Sequence, residues 1–130
     1  MTDQIVLLLA EDEPLIQMSV RDALEEGGFT VLTAADGVEA LALLEERFEE
    51  LAGFVTDIRL GAGPTGWDLA HRARELKPEI SIVYMTGDSA SEWAANGVPK
   101  SVALQKPFAP AQMLTAISTL LNQASAIGGA

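Results

Sequence analysis

Short apolar runs alternate along this chain with stretches of helical period. Ile5 to Ala10 is continuously apolar and of strand length, the pattern of a central strand buried on both faces. Pro14 stands where a first helical residue belongs, behind acidic residues able to cap and complement a helix N-terminus. Ile16, Val20, Ala23 and Leu24 then recur at helical spacing until Gly27-Gly28 stops the helix. Phe29 to Thr33, rich in β-branched residues, predicts a second strand. Asp36-Gly37-Val38-Glu39 has the form of a capping box. The helix it opens carries Val38, Leu41 and Ala42 as the start of its apolar stripe and ends near Glu50.

Phe54 to Asp57 predicts a third strand, and the stretch from Leu60 to Gly66 is too rich in Gly and Pro to be anything but a loop. A third helix is expected from about Trp67 to Leu76, with Leu69, Ala73 and Leu76 inward and Pro78 closing it. Ile80 to Thr86 is a fourth strand, Ser89 to Ala95 a short helix, and Ser101 to Leu104 a fifth strand. Pro110 opens a last helix whose Met113, Leu114, Ile117, Leu120 and Leu121 keep helical period. Five strands alternating with five helices predict an α/β fold, an open parallel sheet with helices on both faces. We expect one domain over residues 1–124 and a frayed tail over 125–130.

The strand ends carry the chemistry. The first run ends in Glu11-Asp12-Glu13, the third in Asp57, the fourth in Thr86-Gly87 and the fifth near Lys106-Pro107. Parallel strands put their carboxyl ends on one edge, where carboxylates, a hydroxyl and an ammonium converge. That set suits a Mg²⁺-dependent phosphoryl transfer to an aspartate: carboxylates hold the metal, metal and lysine neutralise phosphate charge, and the hydroxyl reads the new oxygens. Each residue also has a plainer reading. Acids before Pro14 suit helix capping, Thr86 suits an ordinary strand, Lys106 a solvated surface and Asp57 a turn. His71, among Arg72 and Arg74, reads as a solvated surface histidine, and Trp67 and Trp93 read as packing residues.

Composition narrows the function classes. The 130 residues are enough for one domain with a sizeable core. A net charge of −11, with only eight scattered Lys and Arg, argues against nucleic-acid binding, which needs clustered cations. No cysteine means no disulfide or thiolate chemistry. The N-terminal apolar run is too short for a membrane span and lacks a basic flank, so a soluble, cytoplasmic protein without membrane partners is expected.

Glu11-Asp12 after strand 1, Asp57 after strand 3, Thr86 after strand 4 and Lys106-Pro107 after strand 5 together resemble the CheY-like receiver domain of bacterial response regulators. The resemblance runs from residue 4 to about 122. It implies a flavodoxin-like doubly wound sheet in the order 2-1-3-4-5, whose switch point brings Glu11 and Asp12 beside Asp57. By the same resemblance, Asp57 accepts a phosphoryl group from a partner histidine kinase or phosphotransfer protein, forming an acyl phosphate. Asp12 and Asp57 bind Mg²⁺ directly, Glu11 acts through water, and the backbone carbonyl of Arg59 completes the protein's share. Lys106 pairs with a phosphoryl oxygen, Thr86 swings inward to another, and Pro107 suggests a cis peptide.

Three departures from the family pattern stand out. Gly61 replaces the usual Pro after the acceptor, and Gly66 falls one residue late. The segment from Thr86 to Lys106 is about two residues short, and Ala103 occupies the place of the family's aromatic switch residue. Output through the short segment from Ser89 to Ala95 is therefore expected, with Trp93 as its reporter, because Tyr84 has little room to move. Arg59 and Asp88 flank the path of attacking water and are expected to tune the lifetime of the acyl phosphate. The leading reading is a non-enzymatic, stand-alone switch or phosphate sink acting on an unidentified protein target. The alternative is a Mg²⁺-dependent aspartyl-phosphate phosphohydrolase, against which the absence of an Asp-x-Asp pair after strand 1 counts. A purely structural module and a receiver cut from a hybrid kinase are the remaining readings.

Overall fold

Five strands form a wholly parallel sheet: β1 (Val6–Ala10), β2 (Thr30–Ala34), β3 (Leu51–Asp57), β4 (Ser81–Thr86) and β5 (Ser101–Gln105). Their order is β2-β1-β3-β4-β5, so the chain reverses direction across the sheet between β1 and β3. The helices are α1 (Pro14–Glu26), α2 (Gly37–Arg47), α3 (Gly66–Leu76), α4 (Ala90–Asn96) and α5 (Pro110–Gly128). The computed structural model describes residues 4–87 and 90–128.

Strand alternation splits the core in two. Leu7, Leu9, Val55, Val83 and Met85 pack with Val20 and Leu24 of α1 and with Met113 and Ile117 of α5. Leu8, Ala10, Phe54, Ile82 and Tyr84 face the other way, onto Ala40 and Leu44 of α2 and Leu69, Ala70 and Ala73 of α3. Helices on both faces explain why the central strands read as unbroken apolar runs rather than alternating ones.

The expected α/β class and strand order are both observed, and local departures have physical causes. Helix α2 stops at Arg47, and a 3₁₀ turn (Phe48–Glu50) leads straight into β3 at Leu51, three residues earlier than Phe54. The longer strand is pinned by pairing of Leu51 with Val6 and by the Lys77 ammonium, which donates to the Leu51 carbonyl at 2.7 Å. The α2 stripe is also shifted. Gly37, Ala40 and Leu44 face the sheet, while Val38 is 58% exposed. The loop before α3 decides this: the Gly37 amide donates to the Ala62 carbonyl at 3.0 Å, and a Cβ on Gly37 would overlap the carbonyl oxygen of Pro64.

Capping differs in detail as well. Asp36 accepts from the Glu39 amide at 2.9 Å as expected, but Glu39 reaches back to the Ala35 amide instead of closing the box. A full capping box sits at α3, between Thr65 and Asp68. Glu13, the residue before Pro14, makes no side-chain cap. Gly28, at φ +99°, supplies the left-handed turn after α1. The tail expected over 125–130 is helical through Gly128, continuing the small, Ala-containing sequence that α5 favours.

Candidate functional site

The carboxyl ends of β1 and β3 lie side by side, with Ala10 paired to Thr56, so the residues after each emerge at one edge. Glu11, Asp12 and Asp57 each present a carboxylate oxygen there, all within 4.8 Å of one another. Lys106 enters from the end of β5, its ammonium 3.0 Å from Glu11 Oε1 and 3.2 Å from Asp57 Oδ2. Its backbone amide donates to the Thr86 carbonyl at 2.7 Å, tying the ends of β4 and β5 together, and the Lys106–Pro107 peptide is cis. Thr86 is buried at the end of β4. Arg59 is exposed two residues beyond Asp57, and Asp88 lies outside the described residues. Four of the five strands thus deliver their expected residues to one edge.

Glu11 is fully buried, which sequence alone did not indicate. Its Oε2 accepts from the Glu13 amide at 3.1 Å, and its Oε1 from Lys106. Its backbone amide donates to the Ala34 carbonyl at 3.0 Å, and its carbonyl accepts from Gln17 Nε2 at 3.0 Å. Asp57 Oδ1 accepts from the Ile58 amide at 2.7 Å. Gln17 is the residue that sequence reasoning passed over. Its signal was present: it lies three and seven residues before Val20 and Leu24, a polar side chain on an inward stripe.

Burial pushes the Glu11 carboxyl up, its bonds from Glu13 and Lys106 pull it down, and the Asp57 charge raises it again, leaving it at about 7. Burial alone would lower the Lys106 ammonium, but the Glu11 and Asp57 carboxylates outweigh it and hold it above its ordinary value. The sign of the resulting pH dependence follows from Glu11. Between about pH 4.5 and 7 the folded protein holds a proton that the unfolded chain has lost. Metal-free stability should therefore fall as pH rises through that window and level off above it, by on the order of 1–3 kcal/mol. Urea unfolding at pH 5 and pH 8 measures this, and Glu11→Gln should flatten the difference. Equal or greater wild-type stability at pH 8 would contradict it.

The donor set is chemically suited to a hard divalent cation: three carboxylates grouped on one edge of the sheet. A groove of about 510 Å³ opens beside Lys106, lined by Leu15, Ile16, Val20, Pro107, Phe108 and Pro110. Another cavity, of about 340 Å³, lies toward Lys100 and Leu120, at the opposite edge of the sheet from the carboxylates.

Behind the site, Tyr84 is fully buried, pairs across the sheet with Ala103, and accepts from the Val98 amide at 3.1 Å. Its ring lies 4.6 Å from that of Trp67. The Trp93 indole donates to Ser101 Oγ at 3.0 Å, and Ser101 donates to the Val98 carbonyl at 2.6 Å. Both tryptophans therefore pack, as expected. His71 is exposed, with Nε2 3.0 Å from the Asn96 carbonyl.

A doubly wound sheet with an acidic cluster at its switch point and a lysine reaching across from the last strand places the chain among the CheY-like receivers of two-component signalling. Residues 7–118 match the response regulator receiver domain family, and the chain belongs to it. A receiver protein from Sinorhizobium medicae has a similar structure, with a TM-score of 0.89 and 42% identity, covering 94% of this chain and 98% of that one. Among curated proteins, the chain is 34% identical over 121 residues to the sensor kinase CckA of Brucella abortus, covering 90% of this chain. It spans only 12% of CckA's length. It is 31% identical over 117 residues to the response regulator receiver protein CpdR of the same organism, covering 88% of this chain and 95% of CpdR.

Receiver domains are phosphoacceptor signalling domains that bind Mg²⁺ at an acidic pocket and interact with histidine kinases or phosphotransfer proteins. That membership does not favour the phosphohydrolase alternative. Among the described residues, no helix is long and apolar enough to cross a membrane.

Proposed function

We propose that Asp57 is the phosphoacceptor, and that the chain works as a non-enzymatic switch or phosphate sink in the cytoplasm. The observation that carries this reading is the Lys106 ammonium bridging Asp57 and the buried Glu11, two of the three carboxylates of the cluster. One Asp57 oxygen attacks phosphorus in line. A phosphorus–oxygen bond forms as the bond to the donor's leaving atom breaks, and that atom departs with the electron pair. Lys106, already 3.2 Å from Oδ2, donates to a phosphoryl oxygen, and the Thr86 hydroxyl takes another. Asp12, Asp57 and the Arg59 carbonyl would hold Mg²⁺, with Glu11 acting through water. Bound there, the ion neutralises phosphoryl charge and orients its oxygens.

A protein donor, a histidine kinase or phosphotransfer protein, suits the groove beside Lys106, since Leu15 on its rim is 78% exposed. The methyl of Ala103 cannot fill the gap that an inward-moving Thr86 leaves. Output to the downstream target then runs through α4 and the turn after it, which the bonds among Trp93, Ser101, Val98 and Tyr84 link to β4 and β5.

Incubation with acetyl phosphate and Mg²⁺, followed by intact-mass measurement and peptide mapping, tests the assignment. One phosphoryl group per chain, on the peptide carrying Asp57, is expected. Label on another peptide, or continuous release of phosphate from small esters, would overturn it.

A further inference from the structure

Gln17 projects from the first turns of α1 back toward the sheet and ends between two strand ends. Its Nε2 donates to the Glu11 carbonyl at 3.0 Å and to the Ala34 carbonyl at 3.3 Å. One side-chain amide thereby ties the end of β1 to the end of β2. The Glu11 carbonyl belongs to the peptide that joins Glu11 to Asp12, so this bond sets the plane from which Asp12 departs. The other handles on Glu11 are already fixed: its amide by Ala34, and its carboxylate by Glu13 and Lys106. Asp12 differs. It is exposed, and among the described residues its carboxylate makes no hydrogen bond or ion pair. Its side chain has no bond of its own and is placed by the two peptides that flank it, the one after it held by the Glu13 amide on Glu11 Oε2 and the one before it by Gln17.

We propose that Gln17 is a positioning residue for the divalent-cation site, aiming Asp12 by locking the Glu11–Asp12 peptide to the ends of β1 and β2. This rests on the reading of Glu11, Asp12 and Asp57 as the Mg²⁺ cluster. Mg²⁺ demands near-ideal octahedral geometry at short distance, so a small swing of one carboxylate weakens it disproportionately. Groups that orient a ligand from behind typically matter by 10–100-fold in metal affinity.

Two variants separate positioning from simpler effects. Gln17→Met keeps length and loses the donor. Gln17→Glu keeps shape, cannot donate when ionised, and adds a negative charge close to the cluster. Bulk electrostatics predicts that this charge tightens cation binding. Loss of the donor predicts weaker binding in both variants. Titrating MgCl₂ calorimetrically into wild type, Gln17→Met, Gln17→Glu and Asp12→Ala should raise Kd about tenfold or more in both Gln17 variants. In wild type the Gln17 side-chain amide resonances should also shift as Mg²⁺ is added, a readout that survives if a variant fails to fold. Wild-type binding that Asp12→Ala abolishes, with a Gln17→Met Kd within twofold of wild type, overturns the role of Gln17 alone. Tighter binding by Gln17→Glu overturns it too. A wild type that binds no Mg²⁺ overturns the cation reading and this inference with it.

Discussion

Asparagine at position 57 is expected to abolish phosphoryl incorporation from acetyl phosphate and to leave the protein folded. An amide is not a nucleophile under these conditions, and no neighbouring carboxylate can take over. Glu11 is fully buried and engaged at both oxygens, by Lys106 and by the Glu13 amide. Asp12 is exposed and makes no ion pair with Lys106, so it lacks the cation that Asp57 has at 3.2 Å. The loss of labelling should be about a hundredfold or more, equivalent to about 3 kcal/mol in the barrier. The fold survives because Lys106 keeps Glu11 as its partner. The variant also removes one of the charges that raise the Glu11 carboxyl, so the fall in stability between pH 5 and pH 8 should shrink. Intact mass after timed incubation, with urea unfolding at both pH values, measures the two effects. Full labelling of the variant would remove Asp57 from its role.

Gly66→Ala should cause the largest loss of stability of any single-methyl addition in the loop after β3. The Gly66 amide donates to the Ile58 carbonyl at 2.8 Å, which pins the start of α3 against the end of β3. In that position a Cβ would overlap the carbonyl oxygen of Asp57, which is backbone and has no flexible end to swing aside. Either α3 withdraws or the end of β3 shifts, and a cost of about 2–4 kcal/mol is expected. Phosphorylation should slow as well, since the displaced atoms belong to the acceptor residue itself. Gly61→Ala is the internal comparison. A methyl there meets nothing within 4 Å, so only its φ of +75° opposes it, at about 1 kcal/mol. Urea midpoints of the two variants separate steric overlap from backbone strain. A Gly66→Ala protein within about 0.5 kcal/mol of wild type would refute the close approach.

The residues that carry the chemistry were legible in the sequence because each ends or follows a strand, and strands buried on both faces announce themselves as apolar runs. Glu11, Asp12, Asp57, Thr86 and Lys106 stand immediately or shortly after such runs, and the alternation of runs with helical stripes dictates the α/β class. Turn and cap chemistry was legible where it is local, as at Gly27-Gly28 and Asp36. What the chain's own pattern left undetermined is what depends on residues distant along it. The Lys106–Glu11 contact joins positions 95 residues apart, and it supplies the partner for Oε1 that a fully buried glutamate needs beside the local Glu13 amide. The stripe of Val38, Leu41 and Ala42 does not fix the register of α2, because the face that Val38 presents is decided by Ala62 and Pro64 on another loop. The pattern places Gln17 on an inward stripe, but its two acceptors, the carbonyls of Glu11 and Ala34, meet only where the ends of β1 and β2 lie side by side. Periodicity records which side of an element meets the core, but hydrogen bonds and steric overlaps between elements exist only once the sheet has assembled, and these set the geometry of the acidic cluster.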